Sequence, residues 1–183
     1  EIEEYGNIRA NGLIAINLDD GDSLTWVKPT TGENDVLIVT ANAKSIFFNE
    51  DDVRGTGRSS RGVKGINLKE DDYVISMDVM RKDEVFVLTI SENGYGKMTE
   101  IKKFNKQKRG GTGNYAARLT KKTGKLTVSR ILDHPQKELL ILSKKGNAVR
   151  IPTDNLPVLN RQTSGVKMMK VKKGDYVAAV AIV

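Results

Sequence analysis

Residues 106–114 read Lys-Gln-Lys-Arg-Gly-Gly-Thr-Gly-Asn, three cations in four positions followed by three glycines in four. This is phosphate chemistry. Arg109 offers a planar fork of N–H donors, while Lys106 and Lys108 act as point charges. Gln107 and Thr112 add neutral donors. Gly110, Gly111 and Gly113 lack a Cβ, so they can take positive φ and let backbone amides approach an oxyanion. The glycines also suit a plain connecting turn, Gly113 above all, because a glycine recurs there along the chain. A nucleotide-binding P-loop is excluded, since no Gly-Lys-Ser/Thr follows and the flanks predict strands without a helix. GYGK (94–97) fails the same test. No nucleophile–base pair is present, so no catalytic residue and no cofactor is expected. The acidic groups Asp19/Asp20/Asp22, Glu50/Asp51/Asp52 and Glu70/Asp71/Asp72 recur at equivalent turns, which reads as solvated loops rather than acid–base or divalent-ion sites. The single histidine, His134, sits in a DHPQ turn, and with no cysteine in the chain no metal site is expected.

Charge separates the two halves of the chain. Residues 1–96 hold 10 Lys/Arg against 18 Asp/Glu, whereas residues 97–183 hold 20 against 5, a net of +15 in the second half and +7 overall. Within 97–130 there are eleven cations and one anion, more than solubility requires. A polyanionic partner is expected, nucleic acid ahead of an acidic membrane. No apolar run is long enough to cross a bilayer, and the absence of cysteine fits a reducing cytosol, so a cytoplasmic, nucleoid-associated protein with no membrane partner is expected.

The elements that must position these cations repeat. NGLIAINL (11–18), RGVKGINL (61–68), TGNYAARL (112–119) and SGVKMMKV (164–171) align, with Gly12, Gly62, Gly113 and Gly165 spaced 50, 51 and 52 residues apart. After each comes a turn (DDGD, EDD, KTGK or KKGD). In three copies an apolar run follows, DVLIVT (35–40), VFVLTI (85–90) or ELLILS (138–143), then a tight turn and a second short strand. The alternation of Ile14, Ile16 and Leu18 predicts a half-buried strand over IAINL. No helical spacing is sustained; Ile101 and Phe104 suggest one turn. Four strands in some fifty residues, repeated, predict an all-β, propeller-like array of four-stranded blades rather than a sandwich. About three complete blades and a partial fourth are expected, in one domain with repeats near 12–61, 62–112, 113–164, and 165–183 with 1–11. The apolar strand YVAAVAIV would leave an open edge, which favours a piece of a larger ring.

In this register the glycine loop ends one blade and enters the next, as do GRSSRG (57–62) and NRQTSG (160–165). Arg58, Arg109 and Arg161 each stand four residues before the recurring glycine. A cation at one corner of every blade predicts a basic rim, suited to a long curved polyanion.

At these residues the sequence resembles the C-terminal domain of the DNA gyrase A subunit, of the bacterial type IIA topoisomerases. The likeness rests on NIRANGLIAINLDDGD, DDVRGTGRSSRGVKGINLKEDD, SENGYGKMTEIKKFNKQKRGGTG, ARLTKKTGK and RQTSGVKMMKV, and covers essentially the whole chain. The related A subunit of topoisomerase IV, which usually lacks an RGG-type loop, is the alternative, and a protein-interaction propeller is another. The resemblance implies a β-pinwheel whose blades exchange strands and whose outer rim bends duplex DNA, so that the parent enzyme introduces negative supercoils. The partners it implies are double-stranded DNA, the gyrase B subunit, plus the remainder of the gyrase A subunit. It implies no catalytic residue in this region. The family's heptad box, Gln-Arg-Arg-Gly-Gly-Arg-Gly, matches Gln107, Lys108, Arg109, Gly110, Gly111, Thr112 and Gly113. Lys108 and Thr112 depart from it, as in a later blade. The DNA-contacting set expected is Arg58, Arg61, Lys64, Lys97, Lys102, Lys103, Lys106 to Gly113, Arg161 and Lys167.

Overall fold

In the computed structural model, which describes residues 2–8, 10–81, 85–132 and 138–183, the three apolar runs form the first strands of three antiparallel hairpins. These are β1 (Asp35–Thr40) with β2 (Lys44–Asn49), β4 (Phe86–Ser91) with β5 (Tyr95–Glu100), and β8 (Glu138–Ser143) with β9 (Ala148–Pro152). A single 3₁₀ turn follows each second strand, at Glu50–Asp52, Ile101–Lys103 and Thr153–Asn155. The His134 turn lies outside the described residues.

Each hairpin is completed by strands from later in the chain. The third strands are β3 (Val74–Met80), β7 (Leu126–Leu132) and β11 (Val177–Ile182), which pair with β1, β4 and β8. Two-residue strands then close the outer edges: β6 (Asn114–Tyr115) on β2 and β10 (Val166–Lys167) on β5. The sheet orders are β3-β1-β2-β6, β7-β4-β5-β10 and β11-β8-β9. The first sheet thus takes its hairpin, its inner strand and its edge strand from three successive fifty-residue stretches. Strand exchange between blades is a property of this topology.

The middle blade is apolar on both faces because it is sandwiched between the other two. Leu37, Val39 and Phe47 of the first blade meet Val85, Val87, Ile101 and Phe104 around the second. Leu88, Ile90 and Met98 on the second meet Leu139, Ile141 and Val177 on the third. Fully burying one such side chain stabilises by about 1.5–3 kcal/mol, so a blade without a neighbour loses most of its core.

The expected strand over IAINL is absent. Residues 12–19 form no strand, and Ile14 and Leu18 are 71% and 49% exposed. The corresponding stretches pair only where a hairpin edge faces them, at Asn114–Tyr115 and Val166–Lys167, and only for two residues. Period-two apolar spacing there marks a segment crossing between sheets, not a blade strand. The crossing explains the recurring glycines. Gly12, Gly62, Gly113 and Gly165 have φ of 83°, 75°, 66° and 75°. A Cβ at Gly113 or Gly165 would collide with the Ser45 or Gly96 carbonyl, whereas Gly12 faces open space.

The acidic turns are not uniformly solvated either. Asp72 accepts from the amides of Asn42 and Tyr73, each at 2.9 Å, and so ties one turn to the neighbouring hairpin tip. Asp175 does the same for the third blade, accepting from the amides of Lys145 at 3.1 Å and Tyr176 at 2.9 Å and from the Ser143 hydroxyl at 2.6 Å. That hydroxyl, with the amides, holds its carboxyl below the usual range. Glu50 accepts from the Asn34 amide at 2.5 Å.

Lys97, expected at the surface, is instead 1% exposed. It occupies the position on β5 that Ile46 fills on β2, and its ammonium donates to the Asn160 carbonyl at 2.6 Å, the Arg161 carbonyl and the Thr163 hydroxyl at 3.1 Å. Short local alternation in YGKMTE does not reveal that the 157–165 corner folds over this face. Burial, with the nearby Arg161 charge, pushes its pKa down to about 8. The folded state therefore releases this proton before the unfolded chain does.

Two outcomes follow. Gly113→Ala or Gly165→Ala should destabilise well beyond Gly12→Ala in urea unfolding, the latter losing only the about 1–2 kcal/mol of a left-handed alanine. Because the unfolded state binds more protons between pH 8 and 10.5, wild type should gain roughly 1–3 kcal/mol on Lys97→Met across that window. A constant difference between the two would mean that Lys97 is not enclosed.

Candidate nucleic-acid interface

The glycine-rich loop lies along the outer edge of the first blade. Gln107 donates its amide to the Phe47 carbonyl at 2.8 Å, the chain loops outward, and it returns at Asn114 to pair with Ser45. The corner at 157–165 repeats this on β5, where the Leu159 amide donates to the Met98 carbonyl at 2.8 Å. A shallow groove lined by Phe47, Phe104, Gln107, Asn114 and Arg161 joins the two.

Three corners share one latch. Nη1 of Arg58 donates to the Ile14 carbonyl at 3.2 Å, that of Arg109 to Lys64 at 3.0 Å and that of Arg161 to Tyr115 at 3.0 Å. Each acceptor lies two residues after the recurring glycine that opens the same repeat. A second bond runs the other way, from the amides of Asn17, Asn67 and Arg118 to the carbonyls of Ser60, Gly111 and Thr163, at 3.0, 2.8 and 3.1 Å. The three arginines thus occupy equivalent places, and each is half-buried. Their spacing was legible in the sequence; their engagement by carbonyls was not.

The glycine loop is likewise occupied from within. The Gly110 amide donates to the Gly65 carbonyl at 2.6 Å, so it is not the free phosphate donor expected of it. Gly110 takes φ 79° to make this turn. Arg109 also donates Nε to the Asp52 carbonyl at 2.8 Å. Lys106 pairs with the buried carboxylate of Asp35 at 2.6 Å, and Lys108 with Asp52 at 2.7 Å. The Lys108 side chain is nevertheless 90% exposed. A pair so solvated contributes little and exchanges readily.

Of the other expected cations, Arg61 pairs with Asp19 at 2.9 Å and Lys102 with Glu100 at 2.9 Å, all at the surface. Lys64, Lys103, Gly111 and Thr112 are exposed. Lys167 lies over the Tyr95 ring at 5.3 Å, and on the first blade the partners exchange places, with Lys44 over Tyr115 at 3.7 Å. Each is a directly opposed cross-strand pair that fastens an exchanged edge strand. The outer edges of the first and second blades therefore carry Arg109 and Arg161, Arg58 makes the same latch at a corner that no described hairpin edge faces, and Lys64, Lys102, Lys103, Lys106, Lys108 and Lys167 lie on the same stretches of chain. Lys97 is excluded from this surface.

Comparison with known proteins follows the same topology. The chain matches the family described as "DNA gyrase C-terminal domain, beta-propeller" over residues 1–31, 34–79, 86–129 and 137–183. It is 38% identical over 181 residues to the DNA gyrase A subunit of Ureaplasma parvum serovar 3, covering 99% of this chain and 21% of that protein. It is 40% identical over 181 residues to the DNA gyrase A subunit of Deinococcus deserti, covering 96% and 22%. The chain thus spans about a fifth of the length of these relatives. A solved DNA gyrase A C-terminal domain superposes with a TM-score of 0.83 at 28% identity, over 94% of this chain and 58% of that one. The C-terminal domain of DNA topoisomerase IV superposes with a TM-score of 0.92 at 24% identity, over 100% and 57%, and shares the fold. The chain belongs to the DNA gyrase C-terminal domain family of β-propellers.

Proposed function

We propose that this domain binds and bends duplex DNA along the outer edges of its blades, as a non-catalytic part of a gyrase A subunit that acts with gyrase B to supercoil DNA negatively. The observation that carries this reading is the equivalence of the three arginine corners in successive repeats, in a chain whose second half holds 20 Lys/Arg against 5 Asp/Glu. Equivalent corners give a periodic row of cations, and a periodic row matches the repeating phosphates of a curved duplex. The contacts are to phosphate, so recognition tolerates sequence and favours bendable DNA.

Within that row the arginines and the lysines have different tasks. Arg58, Arg109 and Arg161 each tie the end of a fifty-residue repeat back to its start and so fix the curvature of the track. Arg61, Lys64, Lys102, Lys103, Lys106, Lys108 and Lys167, with side chains or stems at the surface, supply the phosphate contacts. Gln107, Gly111 and Thr112 shape the loop that presents Lys108.

Anisotropy titrations of mixed-sequence duplexes against salt test this. Log K should fall linearly with log salt, by about 0.9 for each phosphate neutralised. Affinity independent of salt, or retention of an acidic protein without DNA binding, would overturn the proposal. Lys108→Gln should flatten the slope by about one and leave the unfolding midpoint unchanged. Arg109→Gln should lower stability by about 1–2 kcal/mol through its lost hydrogen bonds, and reduce the linking-number change of a closed circle more than it reduces affinity.

A further inference from the structure

The turns that follow the recurring glycines occupy equivalent places but change sign along the chain. Their left-handed residues are Gly21, Asp71, Gly124 and Gly174, with φ of 81°, 60°, 71° and 74°. The first two turns are acidic, with Asp19, Asp20 and Asp22, then Glu70, Asp71 and Asp72. The last two carry Lys121 and Lys122, then Lys172 and Lys173. The last three of these turns meet the hairpin tips, through Asp72 with Asn42, Lys122 with Asn93 and Asp175 with Lys145, at the far end of the strands from Asp35 and Asp52, where the glycine loop is fastened. Strands of six residues separate the two ends by about 17–20 Å.

The basic turns form one continuous surface. Lys125 donates to the Asp71 carbonyl at 2.8 Å, which sets the third turn beside the second. The Asn93 side chain donates to the Lys122 carbonyl at 3.1 Å, and the Val177 amide to the Glu92 carbonyl at 2.9 Å, which carries the contact on to the third blade. There the Lys144 amide donates to the Tyr176 carbonyl at 2.9 Å, and the Lys145 ammonium lies beside Gly174. Lys121, Lys122, Lys144, Lys145, Lys172 and Lys173 make no ion pair with any described residue. The Asp175 carboxylate is taken up by Ser143, Asn147 and two amides. The Glu92 side chain packs on Gly124, in the third turn. Lys122 lies 5.4 Å from the Tyr95 ring and Lys144 5.3 Å from the Tyr176 ring, which pre-positions both. The outer corners present the opposite case, since Lys106, Lys108 and Arg109 already have partners.

We propose that the hairpin-tip end of the second and third blades is a second phosphate-binding surface, holding duplex DNA that has already engaged the outer edge. The proposal rests on the DNA-bending reading above. Unpaired ammonium groups without guanidinium forks bind a backbone at many orientations. The acidic turn at Glu70, Asp71 and Asp72, which lies beside the third turn, repels that backbone. The duplex is therefore confined to the basic side of the same end, and the sign change sets where it leaves the edge.

The test uses the whole chain with a long mixed-sequence duplex and, separately, a poly-glutamate peptide. One variant carries Lys121→Gln, Lys122→Gln, Lys172→Gln and Lys173→Gln; a second carries Lys102→Gln, Lys103→Gln and Lys108→Gln on the outer edge. The first variant should keep the wild-type unfolding midpoint, lose roughly 10- to 100-fold in DNA affinity at low salt, and show a slope shallower by about 2–4. Hydroxyl-radical footprints of the two variants should lose protection over different stretches of the duplex. Wild-type DNA affinity and slope in the first variant would overturn the tip surface while leaving the edge reading intact, as would loss of poly-glutamate binding alone. Absence of salt-dependent DNA binding by wild type would remove both.

Discussion

The structure depends on a short backbone crossing. Where Gly113 passes Ser45 and Gly165 passes Gly96, the incoming chain approaches a hairpin edge so closely that a side chain has no room. That approach places two residues in register with the earlier hairpin, and so ties each stretch of sequence to a blade it did not build. The arginine latch and its reciprocal amide bond then hold the corner on both sides. Hydrogen bonds of this kind contribute about 1 kcal/mol each, but they fix direction, which apolar contact does not. Blade packing supplies most of the stability, and the crossings decide which blade packs on which.

This arrangement changes the meaning of the basic residues. A cation near a glycine turn suggests an open phosphate cradle, yet the donors of the 106–113 loop face inward, to Gly65, Asp52, Asp35 and Lys64. An arginine held by a carbonyl keeps its full charge, because a carbonyl neutralises nothing. The latches therefore add to the positive potential of the edge while serving the fold. Lysines in solvated pairs, such as Lys108 with Asp52, can leave their partners at small loss. The edge is thus a rigid frame of arginines with mobile lysines on it.

Lys97 shows the limit of reading charge from composition. It belongs to the basic window yet points into the protein, where Ile46 stands on the preceding blade. Three oxygen acceptors keep an ammonium tolerable there, while burial and the Arg161 charge disfavour it and lower its pKa to about 8. Asp72 and Asp175 are the acidic counterparts, carboxylates in turn sequences that act as caps for neighbouring hairpin tips.

Much of the fold was legible from residues alone. Apolar runs bounded by turn residues located the hairpins within a few positions, since a strand buried on both faces has to be apolar throughout. The fifty-residue glycine period exposed the repeat, because only glycine tolerates positive φ beside another backbone. The Arg58, Arg109 and Arg161 spacing marked equivalent corners. What local sequence did not carry was the destination of each segment. IAINL has strand periodicity but no hairpin edge facing it in this structure, and YGKMTE gives no sign that a corner from some sixty residues later covers Lys97. Periodicity records which face of a segment meets apolar surroundings; which partner supplies them, and whether a charge ends in solvent or against a carbonyl, is settled only when distant segments fold across one another.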